Sequence, residues 1–236
     1  MLEKKSKDLK ENHIPTIAFL GDSVTQGCFE LYMTEQGAIE TVFESNYAYH
    51  ARLQQLLCLF YPRCPVTVVN AGISGGKADF GLERLERDVL QYHPDLTVVS
   101  FGLNDCGKGE DTMPRYAENL RKIFTRLQEN GSEVIFLTQN MMNTRISHRL
   151  HEPSMLAVAE RTMQNENNGV LERFFEAAKR VAAECGVPVC DMYAFWKRMH
   201  NNGVDTTELL ANAINHPVRD MHWLTAVALW NTILEN

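Results

Sequence analysis

Five short β-rich runs recur along this chain, separated by segments with helical spacing, and that alternation limits the fold more than any other feature. The runs are Thr16 to Gly21, Val66 to Asn70, Leu96 to Phe101, Glu133 to Thr138 and Val187 to Asp191. Strands that alternate with helices pair in parallel, because a parallel partner needs a crossover long enough to bring the chain back to the same edge. The first three runs are apolar without alternation, as expected for strands buried on both faces. Between runs, Tyr116, Leu120, Ile123, Phe124 and Leu127 share one helical face, and Val170, Leu171, Phe174, Phe175, Ala178 and Val181 share another. These stripes suit packing onto a sheet better than holding a cofactor. Thr225 to Leu234 predicts a closing helix. With no internal repeat, low-complexity block or Pro/Gly/Ser linker, residues 1–236 predict one domain with a charged, solvated lead-in over 1–13.

Composition then removes several classes of function. A formal charge of −7 leaves no Lys/Arg cluster for a phosphate backbone, so no nucleic-acid partner is expected, and the basic run Lys4 to Lys10 is interrupted by Asp8. No stretch of about eighteen apolar residues occurs, and the N-terminus lacks a signal-peptide core, so the expectation is a soluble cytoplasmic protein without stable membrane insertion. Cys28, Cys58, Cys64, Cys106, Cys185 and Cys190 are scattered through apolar segments, which predicts reduced core thiols. No CxxC pair exists and His148 with His151 lacks a third ligand, so no metal is expected. The loop after the first run lacks a G-x-G-x-x-G or P-loop pattern, which disfavours a nucleotide binder; no cofactor is expected.

One segment fits neither pattern. Residues 140–168 are polar, carry Pro153 and follow no strand period, which predicts a functional loop or a small helical cap, with a disordered excursion as the alternative.

In a parallel sheet the loops after the strands gather at one edge, and chemistry-bearing residues belong there. Gly21-Asp22-Ser23-Val24-Thr25-Gln26-Gly27 follows the first run, placing Ser23 where a helix begins and a developing alkoxide is favoured. Asn70-Ala71-Gly72-Ile73-Ser74-Gly75-Gly76 follows the second and Gly102-Leu103-Asn104-Asp105 the third. A glycine amide and an asparagine side chain are the donors that an acyl-transfer oxyanion needs. Singly, each has a structural reading: a serine after a strand caps helices, glycines turn chains, and Asn-Asp makes turns.

Together, in this order and followed by a histidine near the C-terminus, the blocks resemble those of the SGNH (GDSL-type) hydrolases over roughly residues 17–236. The resemblance implies a three-layer α/β/α sandwich, flavodoxin-like, with a five-stranded parallel sheet. It implies Ser23 as nucleophile, His216 as general base, and the Ser23 and Gly75 amides with the Asn104 side chain as oxyanion donors. It further implies a serine esterase acting on carboxylic esters of small or carbohydrate molecules, with deacetylation first and lysophospholipid or thioester cleavage as alternatives.

The histidine block departs from the family pattern. Members commonly end Asp-x-x-His-Pro, whereas here Ala213-Ile214-Asn215-His216-Pro217 puts alanine at the acid position. A backbone carbonyl or the side-chain oxygen of Asn212 or Asn215 is then needed to hold the imidazole, giving a Ser-His dyad or atypical triad; a degenerate binding module is the other outcome. His222, in Asp220-Met221-His222, is expected to be a packed core histidine. Gly72-Ile73-Ser74-Gly75-Gly76 also satisfies G-x-S-x-G, but only one strand precedes it, too few for the α/β-hydrolase elbow.

Overall fold

The computed structural model describes residues 2–235. Five strands, β1 (Thr16–Gly21), β4 (Thr67–Gly72), β5 (Leu96–Ser100), β6 (Glu133–Thr138) and β7 (Val189–Asp191), form one parallel sheet in the order β4-β1-β5-β6-β7. A second, antiparallel pair, β2 (Cys28–Met33) and β3 (Ile39–Phe43), projects after β1. The helices Tyr49–Phe60 and Arg219–Glu235 pack on each other, while Met113–Glu129 packs against both Ala78–Glu83 and Val170–Glu184. Because crossovers leave β1 in opposite directions and are right-handed, these two groups cover opposite faces. The three-layer flavodoxin-like sandwich expected from the sequence is the observed fold.

Burial follows the sequence pattern. In β1, Ile17 to Leu20 are essentially inaccessible, and in Met113–Glu129 the buried residues are the five of the expected stripe. Each such side chain contributes about 1.5–3 kcal/mol by leaving water, which makes the two-sided core the main source of stability. The closing helix begins at Arg219, six residues ahead of the predicted start.

Two expectations need correction. The lead-in is not simply solvated: Leu2–Lys7 is helical, Leu2 joins the core, and Lys5 is buried with its ammonium donating to Leu9 O at 2.7 Å and to Asn12 O. Hydrocarbon on Leu2 and on the Lys5 stem outweighs the local charge. Nor are all cysteines core residues, since Cys58 is exposed and Cys185 half-buried, although all six are free thiols.

The polar segment 140–168 is ordered by its own amides. Asn143 Nδ2 donates to Ala159 O at 2.9 Å, and Thr162 Oγ1 donates to Asn143 Oδ1 at 2.6 Å. The segment ends in a helix, Pro153–Asn167, with proline in the first turn, where its missing N–H costs nothing.

Candidate active site

With the order β4-β1-β5, strand order reverses between β1 and β5 while every strand keeps the same direction, so a crevice opens beyond their carboxyl ends. Ser23 emerges there. Asp22 caps the single turn Ser23–Gln26, accepting the Val24 N–H at 3.0 Å, and Gly27 closes it in the left-handed region at φ 95°. A side chain at Gly21 would put Cβ 2.0 Å from Thr25 Oγ1 and 2.9 Å from Ser100 O, so the tight exit from β1 requires glycine.

Asp22 is fully buried and acts as a hub. Gln139 Nε2 donates to its two oxygens at 2.9 and 2.8 Å, and Asn104 Nδ2 donates to Oδ2 at 3.1 Å. Burial pushes its carboxyl up to about 6 despite those bonds. Below the strand ends, the buried Arg84 guanidinium donates to Ala71 O at 2.7 Å and Gly21 O at 2.9 Å, fixing β4 and β1 just before the loops that carry Gly75 and Ser23. Neither Gln139 nor Arg84 was singled out from sequence; the signal for Gln139 is its place directly after β6.

His216 reaches Ser23 from the far end of the chain. Its Nε2 lies 3.0 Å from Ser23 Oγ, and its Nδ1 lies 2.9 Å from the backbone oxygen of Phe29. A carbonyl oxygen only accepts, so Nδ1 carries the proton and Nε2 presents its lone pair to the serine hydroxyl. The acceptor that the sequence left open is thus a main-chain carbonyl at the start of the β2–β3 hairpin. The asparagines serve otherwise: Asn212 Oδ1 takes the N–H groups of Ile214, Asn215 and His216 at 3.0, 2.9 and 2.9 Å, and Asn215 Oδ1 takes Asn212 Nδ2 at 2.9 Å. Ala213 sits in this knot in the left-handed region, at φ 57°. Burial pulls the His216 pKa below its ordinary 6.5, and the Phe29 bond opposes this.

Arg219 steadies the hairpin. Its guanidinium makes a two-pronged pair with Glu30 at 2.6 and 2.9 Å, bonds Glu44, and lies 4.4 Å over the Phe29 ring. Residues 28–48 carry no clear strand period in the sequence, because Tyr32, Met33, Ile39 and Phe43 stand exposed.

Gly75 and Asn104 also come to this edge. Asn104 Nδ2 bridges Asp22 Oδ2 and Gly76 O, the latter at 3.0 Å, which ties the loops after β1, β4 and β5 together. Gly75 is exposed, at φ 73°, with open space where a side chain would stand. No acceptor among the described residues takes the Ser23 or Gly75 N–H. Ser74 is held differently, donating its N–H to Gln26 Oε1 at 2.7 Å. A cavity of about 260 Å³ adjoins the donors, with Gly75 and Asn104 on one side and Met142, Val158 and Thr162 on the other. A larger one, about 510 Å³, opens at the opposite sheet edge beside Ile17 and Leu96, far from these groups.

His222, six residues after His216, is 1% exposed; its Nδ1 accepts the Tyr49 N–H at 3.1 Å and its ring stacks on Tyr49. Among the described residues no three side chains of metal-ligand type converge, and no helix is long and apolar enough to cross a membrane.

Similarity to known proteins agrees with this geometry. The chain is 34% identical over 73 residues to an arylesterase of Vibrio mimicus, covering 30% of this chain and 36% of the relative. It is 32% identical over 95 residues to an acetylxylan esterase of Geobacillus stearothermophilus, covering 40% of this chain and 42% of the relative. The chain thus matches less than half the length of these curated relatives. A lipase/acylhydrolase from Enterococcus faecalis superposes with a TM-score of 0.65 at 21% identity, over 93% of this chain and 95% of that one. An acetyl xylan esterase does so at 0.66 and 18%, over 92% and 99%; at such identities these structures speak for the fold. The sequence profile of the GDSL-like lipase/acylhydrolase family matches residues 19–224, so the chain belongs to that family.

Proposed function

We propose that this chain hydrolyses carboxylic esters through an acyl-enzyme, with Ser23 as nucleophile and His216 as general base. The observation that carries the reading is the relay Phe29 O, His216 Nδ1–H, His216 Nε2, Ser23 Oγ, at 2.9 and 3.0 Å. Ser23 Oγ attacks the ester carbonyl while its proton passes to Nε2. The resulting imidazolium then protonates the leaving alcohol, and a water deprotonated by the same nitrogen releases the acid. The carbonyl at Nδ1 holds the productive tautomer without adding a negative charge. That supports a working dyad over a binding module that lost its base.

The free Ser23 and Gly75 N–H groups are placed to receive the oxyanion. Asn104 has both Nδ2 protons engaged, so it joins them by exchanging its Asp22 contact for the substrate oxygen. Short acyl groups, acetyl first, on carbohydrate or other small alcohols are the substrates we favour; the curated relatives named for aryl and acetylxylan esters support this. Lysophospholipid and thioester cleavage are the competing activities, separated by an acyl-length series from acetyl to decanoyl. Fluorophosphonate labelling with peptide mapping tests the core of the reading: the adduct is expected on Ser23, and an adduct on Ser74 instead overturns it.

A further inference from the structure

We infer that the cavity beside the oxyanion donors is a subsite for an anionic oxygen group, carboxylate or phosphate, carried by the ester and met by Lys77, Lys108 and Arg161. This rests on the esterase reading and names its substrate class. All three side chains line the same cavity, and no carboxylate does. They arrive from separate elements. Lys77 follows the Gly75-Gly76 turn, Lys108 ends the short turn after Asn104, and Arg161 stands on the helix Pro153–Asn167. On that helix Val158, Arg161, Thr162 and Asn165 all line the cavity, at the spacing of one helical face.

These three cations combine a shared cavity with the lack of any ion pair. Other basic residues nearby are engaged: Arg145 with Asp205 and Glu208, Arg149 with Glu208, and Arg173 with Glu110. Among the described residues none of the three has an ion pair, although the chain holds 30 Asp and Glu against 23 Lys and Arg. With acids in excess, three unpaired cations facing one cavity concentrate positive potential where the reacting ester sits.

The acids behind the lining do little to cancel it. Asp79 is drawn to Arg115 at 3.6 Å. Glu166 accepts from Tyr193 Oη and the Met142 N–H at 2.7 and 2.9 Å, and Asp105 accepts the Ala78 N–H at 3.0 Å. Burial pushes both carboxyls up to about 7, in the case of Asp105 against the pull of nearby Lys77, so each is partly neutral near neutral pH.

Calorimetric titration of the intact protein with 4-hydroxybenzoate and its neutral isostere 4-hydroxybenzamide tests the subsite without relying on turnover. The acid is expected to bind about tenfold more tightly than the amide. That gap should close in the double variant Lys108→Gln with Arg161→Gln, whose sites are both exposed, and should shrink in high salt. Phenyl phosphate, run alongside, tells whether phosphate or carboxylate is the better guest. Equal binding of acid and amide, or a gap unchanged in the double variant, overturns the proposal. Turnover of 4-acetoxybenzoate against 4-acetoxybenzamide, and of 4-nitrophenyl hydrogen succinate against its methyl ester, then tells whether the charge belongs to the leaving group or the acyl group. Neutral esters turned over without acid/amide discrimination would end the subsite and leave the esterase reading standing. Discrimination in binding without hydrolysis of any ester would do the reverse.

Discussion

His216 and His222 lie six residues apart, are both buried, and touch the same residue, yet only one is equipped for proton transfer. His216 faces an acceptor at Nδ1 and a hydroxyl at Nε2, and its contact with Phe29 is through the main chain. His222 meets the Phe29 ring edge-on with centroids 5.2 Å apart, and its Nε2 is buried with no partner. Its pKa is pulled down to about 3, chiefly by burial and then by His50. Burial alone does not make a base. The difference is a tautomer fixed by an acceptor on one side and a transferable proton on the other.

The comparison breaks most directly at the histidines themselves. His216→Ala should lower kcat/KM by about 10⁴-fold or more, as loss of the base in a hydroxyl-nucleophile site does. His222→Ala should hold activity within about tenfold and cost about 2–4 kcal/mol in urea unfolding, because it opens a cavity beside Tyr49 and Phe29. The assignment fails if a folded His216→Ala protein keeps its turnover while His222→Ala loses it. Asn104→Ala should reduce kcat by about 10²-fold with a smaller change in KM. We place the loss at the low end of the usual span because the resting amide must first leave Asp22; an unaltered kcat would remove Asn104 from the oxyanion site.

Arg219→Met tests the hairpin. With the Glu30 and Glu44 bonds gone, the Phe29 carbonyl is held less firmly, and kcat should fall by about tenfold at nearly constant KM, with partial recovery in Arg219→Lys. Equal losses in Met and Lys variants would point to packing rather than charge. Smaller effects lie in pH. A base at His216 acts in its neutral form, and burial holds its pKa below the ordinary 6.5, so the acid limb of kcat/KM should be centred below 6.5. Asp22 protonates near 6, so an inflection there that vanishes in Asp22→Asn belongs to the hub and not to the base. For stability the sign is opposite to that of a paired histidine. His222 is held neutral when folded, so below 6.5 the unfolded chain gains a proton that the native chain refuses, and stability falls from 6.5 toward about 3. His222→Phe should therefore flatten melting temperature against pH over that interval, and an unchanged slope would refute the burial argument.

Periodicity and strand-end logic made the sheet and the packing stripes of Met113–Glu129 and Val170–Glu184 legible in the sequence, whereas the pairing of Ser23 with His216 came only from the resemblance to the SGNH blocks. The boundaries were less so: β4 starts one residue later than expected and runs through Gly72, because ladder pairing with β1 continues into the glycine motif. What stayed hidden was contributed by groups without a sequence signature. Gln139 reveals itself only through its distance to Asp22, 117 residues earlier, and Arg84 only through carbonyls on two strands. The role of 140–168 was hidden for a related reason. Its asparagines looked like loop composition, yet Asn140 Nδ2 donates to Asn215 O at 2.9 Å and the Asn143 N–H to Ile214 O at 2.9 Å, bracing the histidine loop.

A carbonyl at the back of His216 has an evolutionary consequence. Every residue placed at position 29 brings the same oxygen, so no codon change there can delete it, and an alanine scan would report on the buried ring and not on the carbonyl. What selection can act on is the path of the hairpin. Under such an arrangement the acid position, now Ala213, is released from chemistry, and inheritance of the function is recorded in the shape of a loop rather than in a conserved letter.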